Sequence, residues 1–286
     1  MPKVEKGLVL SHQHLTKDMY IMRFLAPNIA AECRPGQFLH VRPGNSHDPL
    51  LRRPLSIYDV NQQSGYISFL YKVVGSGTEL LSKIKVDDFL DLMGPLGRGF
   101  SLPEKNENTV LVGGGVGIAP LLYLARALIE RRCTVKVLYG AGRAEELVAI
   151  DGLRQLEIPI LTATLDGSHG FRGLVTDLLA DQAQPGQIDR IYSCGPEAMM
   201  ASVARYAARN RIWGEVSLEE HMACGVGACL GCARRLKAND EGYVKVCKDG
   251  PVFNMDEVEL EHASQEGPQL VQFAHREGKG QDGKWY

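Results

Sequence analysis

Four cysteines near the end of the chain, Cys224, Cys229, Cys232 and Cys247, follow the order C-x4-C-x2-C, then a gap of fourteen residues, then C. That spacing constrains the fold more than any other feature. It suits a plant-type [2Fe-2S] cluster, in which three thiolates come from one tight loop and the fourth from a distant turn. Gly225, Gly227 and Gly231 lie between the cysteines, and glycine lets such a loop take positive φ and aim its amide N–H groups at sulfur. Structural zinc is the alternative, because tetrahedral thiolate ligation suits zinc as well. Zinc ribbons present two C-x2-C pairs, however, and only one pair here has that spacing. Iron and sulfide are therefore favoured, and with them one-electron chemistry.

The remaining cysteines, Cys33, Cys133 and Cys194, are scattered, which argues against a disulfide framework and for a reducing compartment, the cytoplasm by default. The N-terminal segment from Met1 to Leu10 has no apolar run long enough for a signal peptide or a membrane span. With 286 residues, 44% hydrophobic and a formal charge of −2, the chain is long enough for two domains and a small appendage, and it has no basic excess to bind nucleic acid.

Up to about residue 103 the chain is a series of short alternating or β-branched runs, among them Gly36–Val41, Leu55–Val60 and Tyr66–Val74, punctuated by Gly, Pro and Asn. Such runs predict an antiparallel barrel or sandwich. The polar segment Pro103–Asn108 reads as a linker. From Thr109 strands and helices alternate. Strands are expected at Thr109–Val112, Thr134–Tyr139, Ile158–Leu165 and Arg190–Cys194, and helices at Ile118–Arg131, Ala144–Leu156, Leu174–Asp181 and Glu197–Arg209. That alternation predicts a doubly wound, mostly parallel sheet with helices on both faces. The expected division is 1–103 for the barrel, 104–215 for the α/β domain, 216–261 for the cysteine module and 262–286 for a polar tail.

Two places in the α/β domain could meet a nucleotide. A glycine turn with Gly113, Gly114, Gly115 and Gly117 follows the first strand, where backbone amides can approach a pyrophosphate. It lacks the G-x-G-x-x-G spacing, and no acidic residue ends the second strand, where Tyr139-Gly140-Ala141-Gly142-Arg143 stands. Arg143 leaves NADH and NADPH both open, since an arginine there can meet a 2′-phosphate. Cys194-Gly195-Pro196 ends a later strand and is placed to flank a nicotinamide, although a buried inert thiol is the commoner use of a cysteine. In the barrel, Arg53-Pro54-Leu55-Ser56 combines a guanidinium suited to phosphate with a hydroxyl; taken alone it is better read as an edge strand with a solvated arginine. Tyr58 or Tyr71 is the candidate for a ring near an isoalloxazine or adenine face.

The order of these motifs, Arg53-Pro54-Leu55-Ser56, Gly75-Ser76-Gly77-Thr78, Gly94-Pro95-Leu96-Gly97, Gly113 to Pro120 and Cys194-Gly195-Pro196, resembles the ferredoxin reductase superfamily. Its barrel binds FAD and its α/β domain NAD(P)H. The stretches Met222–Cys232 and Val246–Phe253 are similar to the signature of the electron-transfer subunits of two-subunit, NAD-dependent dihydroorotate dehydrogenases. The resemblance implies FAD held by Arg53, Pro54, Leu55, Ser56, Leu70, Tyr71, Lys72, Gly77 and Thr78. It further implies NAD(H) contacts at Gly115, Gly117, Cys194 and Gly195, and a [2Fe-2S] cluster on Cys224, Cys229, Cys232 and Cys247. It implies an FMN-containing catalytic partner, two copies of each subunit, and a place in pyrimidine biosynthesis, with no acid or base of this chain acting on substrate. The small subunit of a ferredoxin-dependent NADPH oxidoreductase or sulfide dehydrogenase is the alternative within the same chemistry. A zinc-stabilised binding module without redox function is the alternative outside it.

Overall fold

In the computed structural model, the described residues are 2–44, 48–104, 106–182, 186–237 and 242–260. The expected polar tail, 262–286, lies outside them. They form two seven-stranded sheets and a two-stranded ribbon.

The first sheet holds β1 (Lys3–His14), β2 (Met19–Leu25), β3 (Phe38–Arg42), β4 (Arg53–Ser56), β5 (Asp59–Asn61), β6 (Tyr66–Lys72) and β7 (Phe89–Leu96), in the order β4-β3-β7-β1-β2-β6-β5, with every pairing antiparallel. Two short helices, α1 (Pro27–Ala30) and α2 (Ser76–Ser82), sit in its connections. Alternation sorts its side chains: Leu39 and Val41 join Met22, Phe24, Phe69 and Leu92 in the barrel core, while Phe38 packs outside with the cysteine module. The expected single strand Leu55–Val60 is two strands. Ile57 and Tyr58 carry the chain from one partner to another, the Ile57 N–H donating to Gln37 O and the Tyr58 N–H to Ser68 O.

The second sheet holds β8 (Asn108–Gly114), β9 (Thr134–Ala141), β10 (Ile160–Thr164), β11 (Phe171–Arg172), β12 (Arg190–Cys194) and β13 (Trp213–Ser217), all parallel. Its helices are α3 (Ala119–Glu130), α4 (Ile150–Arg154), α5 (Val175–Gln182) and α6 (Glu197–Asn210). Successive residues of a strand cover opposite faces. Val110, Val112, Leu138 and Ile191 pack with α5 and α6, whereas Leu111, Val137, Tyr139 and Tyr192 pack with α3 and α4. Pro120 suits the first turn of α3, whose missing N–H is no loss there, and Leu121, Leu124, Ala125 and Leu128 make its buried stripe. The barrel docks on this α3 face through Met19, Tyr58, Leu70 and Phe100, and Arg126 of α3 pairs with the buried Asp59 at 2.5 Å.

Three expectations shift. Asn108, placed in the linker, opens β8, its N–H held by the Asp189 carboxylate at 2.8 Å. The helix expected over Ala144–Leu156 is a 3₁₀ turn at Ala144–Glu146 followed by α4, because Glu146 turns back to accept the Gly142 N–H at 2.9 Å. The strand β13, not anticipated from the pattern, extends the sheet.

The cysteine segment supplies the ribbon β14 (Ala233–Arg235) and β15 (Tyr243–Lys245), the helical turn α7 (Val246–Asp249) and the strand β16 (Val252–Asn254). β16 pairs antiparallel with β13, so this segment completes the nucleotide sheet. Among the described residues no helix is long and apolar enough to cross a membrane.

Candidate functional site: thiol loop, flavin strand and nucleotide crevice

Sheet order β11-β10-β9-β8-β12-β13-β16 reverses direction between β8 and β12. In an open parallel sheet the ligand crevice lies beyond the carboxyl ends at that reversal. There the structure brings together the residues expected to meet a nucleotide. Gly115 has φ +56°, and a side chain at Gly117 would run into Cys194 O at 2.6 Å and Gly195 N at 2.6 Å. Only glycine lets the turn after β8 come this close to the end of β12. Cys194 is 1% exposed, and burial raises its thiol above the ordinary range.

Acidity at the end of β9 was missing from the sequence pattern, and the fold supplies it. Glu146 caps Gly142, and Arg143 is flanked by Glu145 at 3.2 Å and Glu146 at 3.6 Å. The signal was present four residues downstream of the glycine, hidden by the expected helix.

In the barrel, β4 is an edge strand, with one row of its peptide groups unpaired in the sheet. Its register with β3 puts Pro54 and Ser56 on the face shared by His40 and Phe38, and Arg53 and Leu55 on the face of Val41 and Leu39. The Arg53 guanidinium lies over Gly77, where any Cβ would collide with it. It donates to Leu51 O at 2.6 Å, and no carboxylate among the described residues pairs with it. A permanent charge without a counter-charge beside a glycine fits a phosphate. Thr78 folds onto the preceding loop, its Oγ1 accepting from the Val74 N–H at 2.9 Å and donating to Gly75 O. Along β6, Leu70 faces the α/β core and Lys72 is exposed beside Asp18 at 3.1 Å. The two rings expected near a flavin are buried instead: Tyr71 is in the barrel core, bonded to His12 Nε2 at 2.9 Å, and Tyr58 packs under α3 and α4.

The four thiols of the loop form two pairs. Cys224 lies beside Cys229, and Cys232 beside Cys247. Gly225 and Gly227 have φ +70° and +79°, and Leu230 adopts +59°. These turns aim backbone donors at sulfur: Val226 and Ala228 N–H at Cys224 Sγ (3.5 and 3.3 Å), Gly227 N–H at Cys247 Sγ (3.1 Å), and Cys247 N–H at Cys232 Sγ (3.4 Å). Desolvation opposes ionisation of Cys224, but the N–H groups of Val226, Cys229 and Ala228 and the Cys229 thiol together outweigh it and bring the thiol down to about 6. Burial, reinforced by the neighbouring Cys232, pushes Cys247 up to about 12. Among the described residues the four sulfurs stand as two pairs and no three of them close on a single metal point, but amides directed at Cys224, Cys232 and Cys247 fit thiolates that ligate a metal centre.

Sequence reasoning did not single out His40. It is fully buried on the outer face of β3, and neither ring nitrogen has a hydrogen-bond partner among the described residues. Burial, and then the charge of Arg52, pushes its pKa down to about 4, so the ring is neutral at pH 7. A Cβ at Gly225 would stand 2.5 Å from its Nδ1, so this ring and the thiol loop touch.

With this geometry in place, relatives can be compared. Family models match over three stretches: an oxidoreductase FAD-binding domain over 6–100, an oxidoreductase NAD-binding domain over 111–205, and the iron-sulfur cluster binding domain of dihydroorotate dehydrogenase B over 219–259. The electron transfer subunit of dihydroorotate dehydrogenase B (NAD(+)) from Desulforamulus reducens is 42% identical over 256 residues, covering 88% of this chain and 97% of that protein. The chain belongs to this family of electron transfer subunits. Its counterpart in Fusobacterium nucleatum subsp. nucleatum is 36% identical over 264 residues, 91% of this chain and all of the other. Among solved structures, the NADH-dependent reduced ferredoxin-NADP oxidoreductase aligns with a TM-score of 0.80 at 30% identity, over 89% of this chain and 90% of that one. As a member of the family, the chain is an oxidoreductase subunit with a ferredoxin reductase-like fold and domains for FAD, NAD and an iron–sulfur cluster.

Proposed function

We propose that this chain takes up the electrons released when dihydroorotate is oxidised at the FMN of a separate catalytic subunit and delivers them to NAD+, in an assembly of two copies of each subunit. What carries the reading is adjacency: the thiol loop rests through Gly225 on β3, the strand hydrogen-bonded to the candidate flavin strand β4. When bound, the cluster exchanges single electrons and FAD exchanges a hydride with nicotinamide.

The chain's residues bind and orient. Cys224, Cys229, Cys232 and Cys247 hold the cluster. Arg53 neutralises the FAD diphosphate, with Pro54, Leu55, Ser56, Leu70, Lys72, Gly77 and Thr78 lining the flavin groove and Tyr71 contributing through its backbone. Gly115, Gly117, Cys194 and Gly195 receive the nicotinamide nucleotide. Glu146, which also flanks Arg143, favours an unphosphorylated ribose; Glu146→Gln should narrow the preference for NADH over NADPH, and an unchanged ratio would remove that role. The loop's exposed rim, Val226 and Leu230, flanks the exposed Cys229 and fits docking of the catalytic subunit. The buried free thiols Cys33, Cys133 and Cys194 suit a reducing cytoplasm.

A subunit of a ferredoxin-linked oxidoreductase is the second reading, favoured by the structural match described above. Anaerobic NAD+ reduction by dihydroorotate with the catalytic subunit added, compared with reduced ferredoxin as donor, separates the two. Turnover only with ferredoxin would overturn the proposal. A colourless protein containing one zinc per chain would overturn both.

A further inference from the structure

Phe38 and His40 stand two residues apart on the same outer face of β3. Phe38 belongs there to the apolar core that also holds Leu96, Cys232, Cys247 and Phe253. His40 occupies an equivalent position with two polar atoms, each without solvent access and, among the described residues, without a partner in hydrogen-bonding geometry, although the Arg52 backbone lies close enough to act on the ring. Leaving a buried polar atom unpaired is costly, because its lost hydration is not replaced. An apolar side chain would avoid that cost, as Phe38 does beside it. The ring has one N–H and one lone pair to place, and the element it touches is the residue immediately after Cys224. Gly225 combines φ +70° with a lack of Cβ, and both are needed for the loop to reach the imidazole.

We propose that His40 donates its ring N–H to a sulfur of the centre held by Cys224, Cys229, Cys232 and Cys247, and so sets the potential at which electrons enter this chain. The inference rests on the iron–sulfur reading above. It makes His40 a positioning and tuning residue, one contributed by the flavin barrel rather than by the cysteine segment. A neutral donor aimed at sulfur stabilises the more negative, reduced state of a cluster and raises its potential.

The test uses the full chain, purified anaerobically with its cofactors. Pulsed electron paramagnetic resonance of the reduced cluster, in protein labelled with ¹⁵N-histidine, should show a histidine nitrogen coupling that survives His221→Gln and disappears in His40→Gln. In redox titrations the midpoint potential should fall in His40→Leu and less in His40→Gln, which keeps an N–H, while FAD content and flavin reduction by NADH stay at the wild-type level. Absence of any histidine coupling in the wild type overturns the proposal. So does a coupling that persists in His40→Gln, or a potential equal in wild type and both variants. Should His40→Leu fail to fold, the wild-type coupling and His40→Gln decide alone. A wild-type protein with no cluster signal at all would refute the iron–sulfur reading, and this inference with it.

Discussion

Cys194 and Cys224 are the same residue in opposite surroundings. Cys194 closes β12 inside the α/β core, where burial holds its proton on despite the Ser217 side chain and the Gly195 N–H beside it. Cys224 sits half-exposed in a loop whose positive-φ glycines turn amides toward its sulfur, and it ionises near 6. Both sulfurs have donors beside them, and the balance decides: at Cys194 desolvation in the core outweighs its donors, while at Cys224 the amides of an open loop outweigh desolvation.

The hardest attempt to break this contrast is Cys229→Ser. It should abolish bound iron and the paramagnetic signal of the reduced chain, while NADH still bleaches the flavin. Loss of both activities with FAD retained would show that the loop and the nucleotide crevice are not separable. A milder variant perturbs the loop backbone: at Gly227 a new methyl meets the Lys248 side chain, with Cδ at 2.8 Å and Cβ at 3.0 Å. Gly227→Ala therefore adds a shift of Lys248 to the left-handed penalty of about 1–2 kcal/mol, and should speed iron loss to a chelator by at least roughly tenfold; a wild-type rate would mean that amide direction is unimportant. In cluster-free protein, mass-spectrometric mapping should find Cys224 alkylated at pH 7 more than about tenfold faster than Cys194. The Cys224 rate should rise with pH and level off above about 6, since its depressed pKa leaves it mostly thiolate beyond that point. Cys194→Ala should cost only ~1 kcal/mol of stability by thermal melting, the value of a small buried side chain. A much larger loss would give that thiol a structural role beyond packing.

The cysteine spacing and the order of the glycine and arginine motifs made the architecture legible, because short-range patterns encode turns, strand ends and ligand loops directly. Long-range pairings were not. Trp213–Ser217 passed unnoticed as a strand because Gly214, and Glu215 with its carboxylate on Ser101, break its apolar run. The rings of Tyr58 and Tyr71 looked available to a ligand, yet alternation along β6 turns Tyr71 into the barrel core, and Tyr58, in the crossover between β4 and β5, packs under α3 and α4. His40 carries no motif at all. Its meaning depends on contact with a glycine 185 positions away, which no local window contains.

The hydrogen bonds between β13 and β16 have an architectural corollary. The segment that follows the last cysteine returns to seal the flank of the nucleotide sheet, so the thiol-bearing appendage is stitched into its host rather than tethered to it. A chain truncated after Ser217 would leave Val216 and its neighbours on a bare, self-complementary border, and such borders recruit other copies of themselves. Subtracting the redox appendage would therefore yield a sticky remnant, not a simpler reductase.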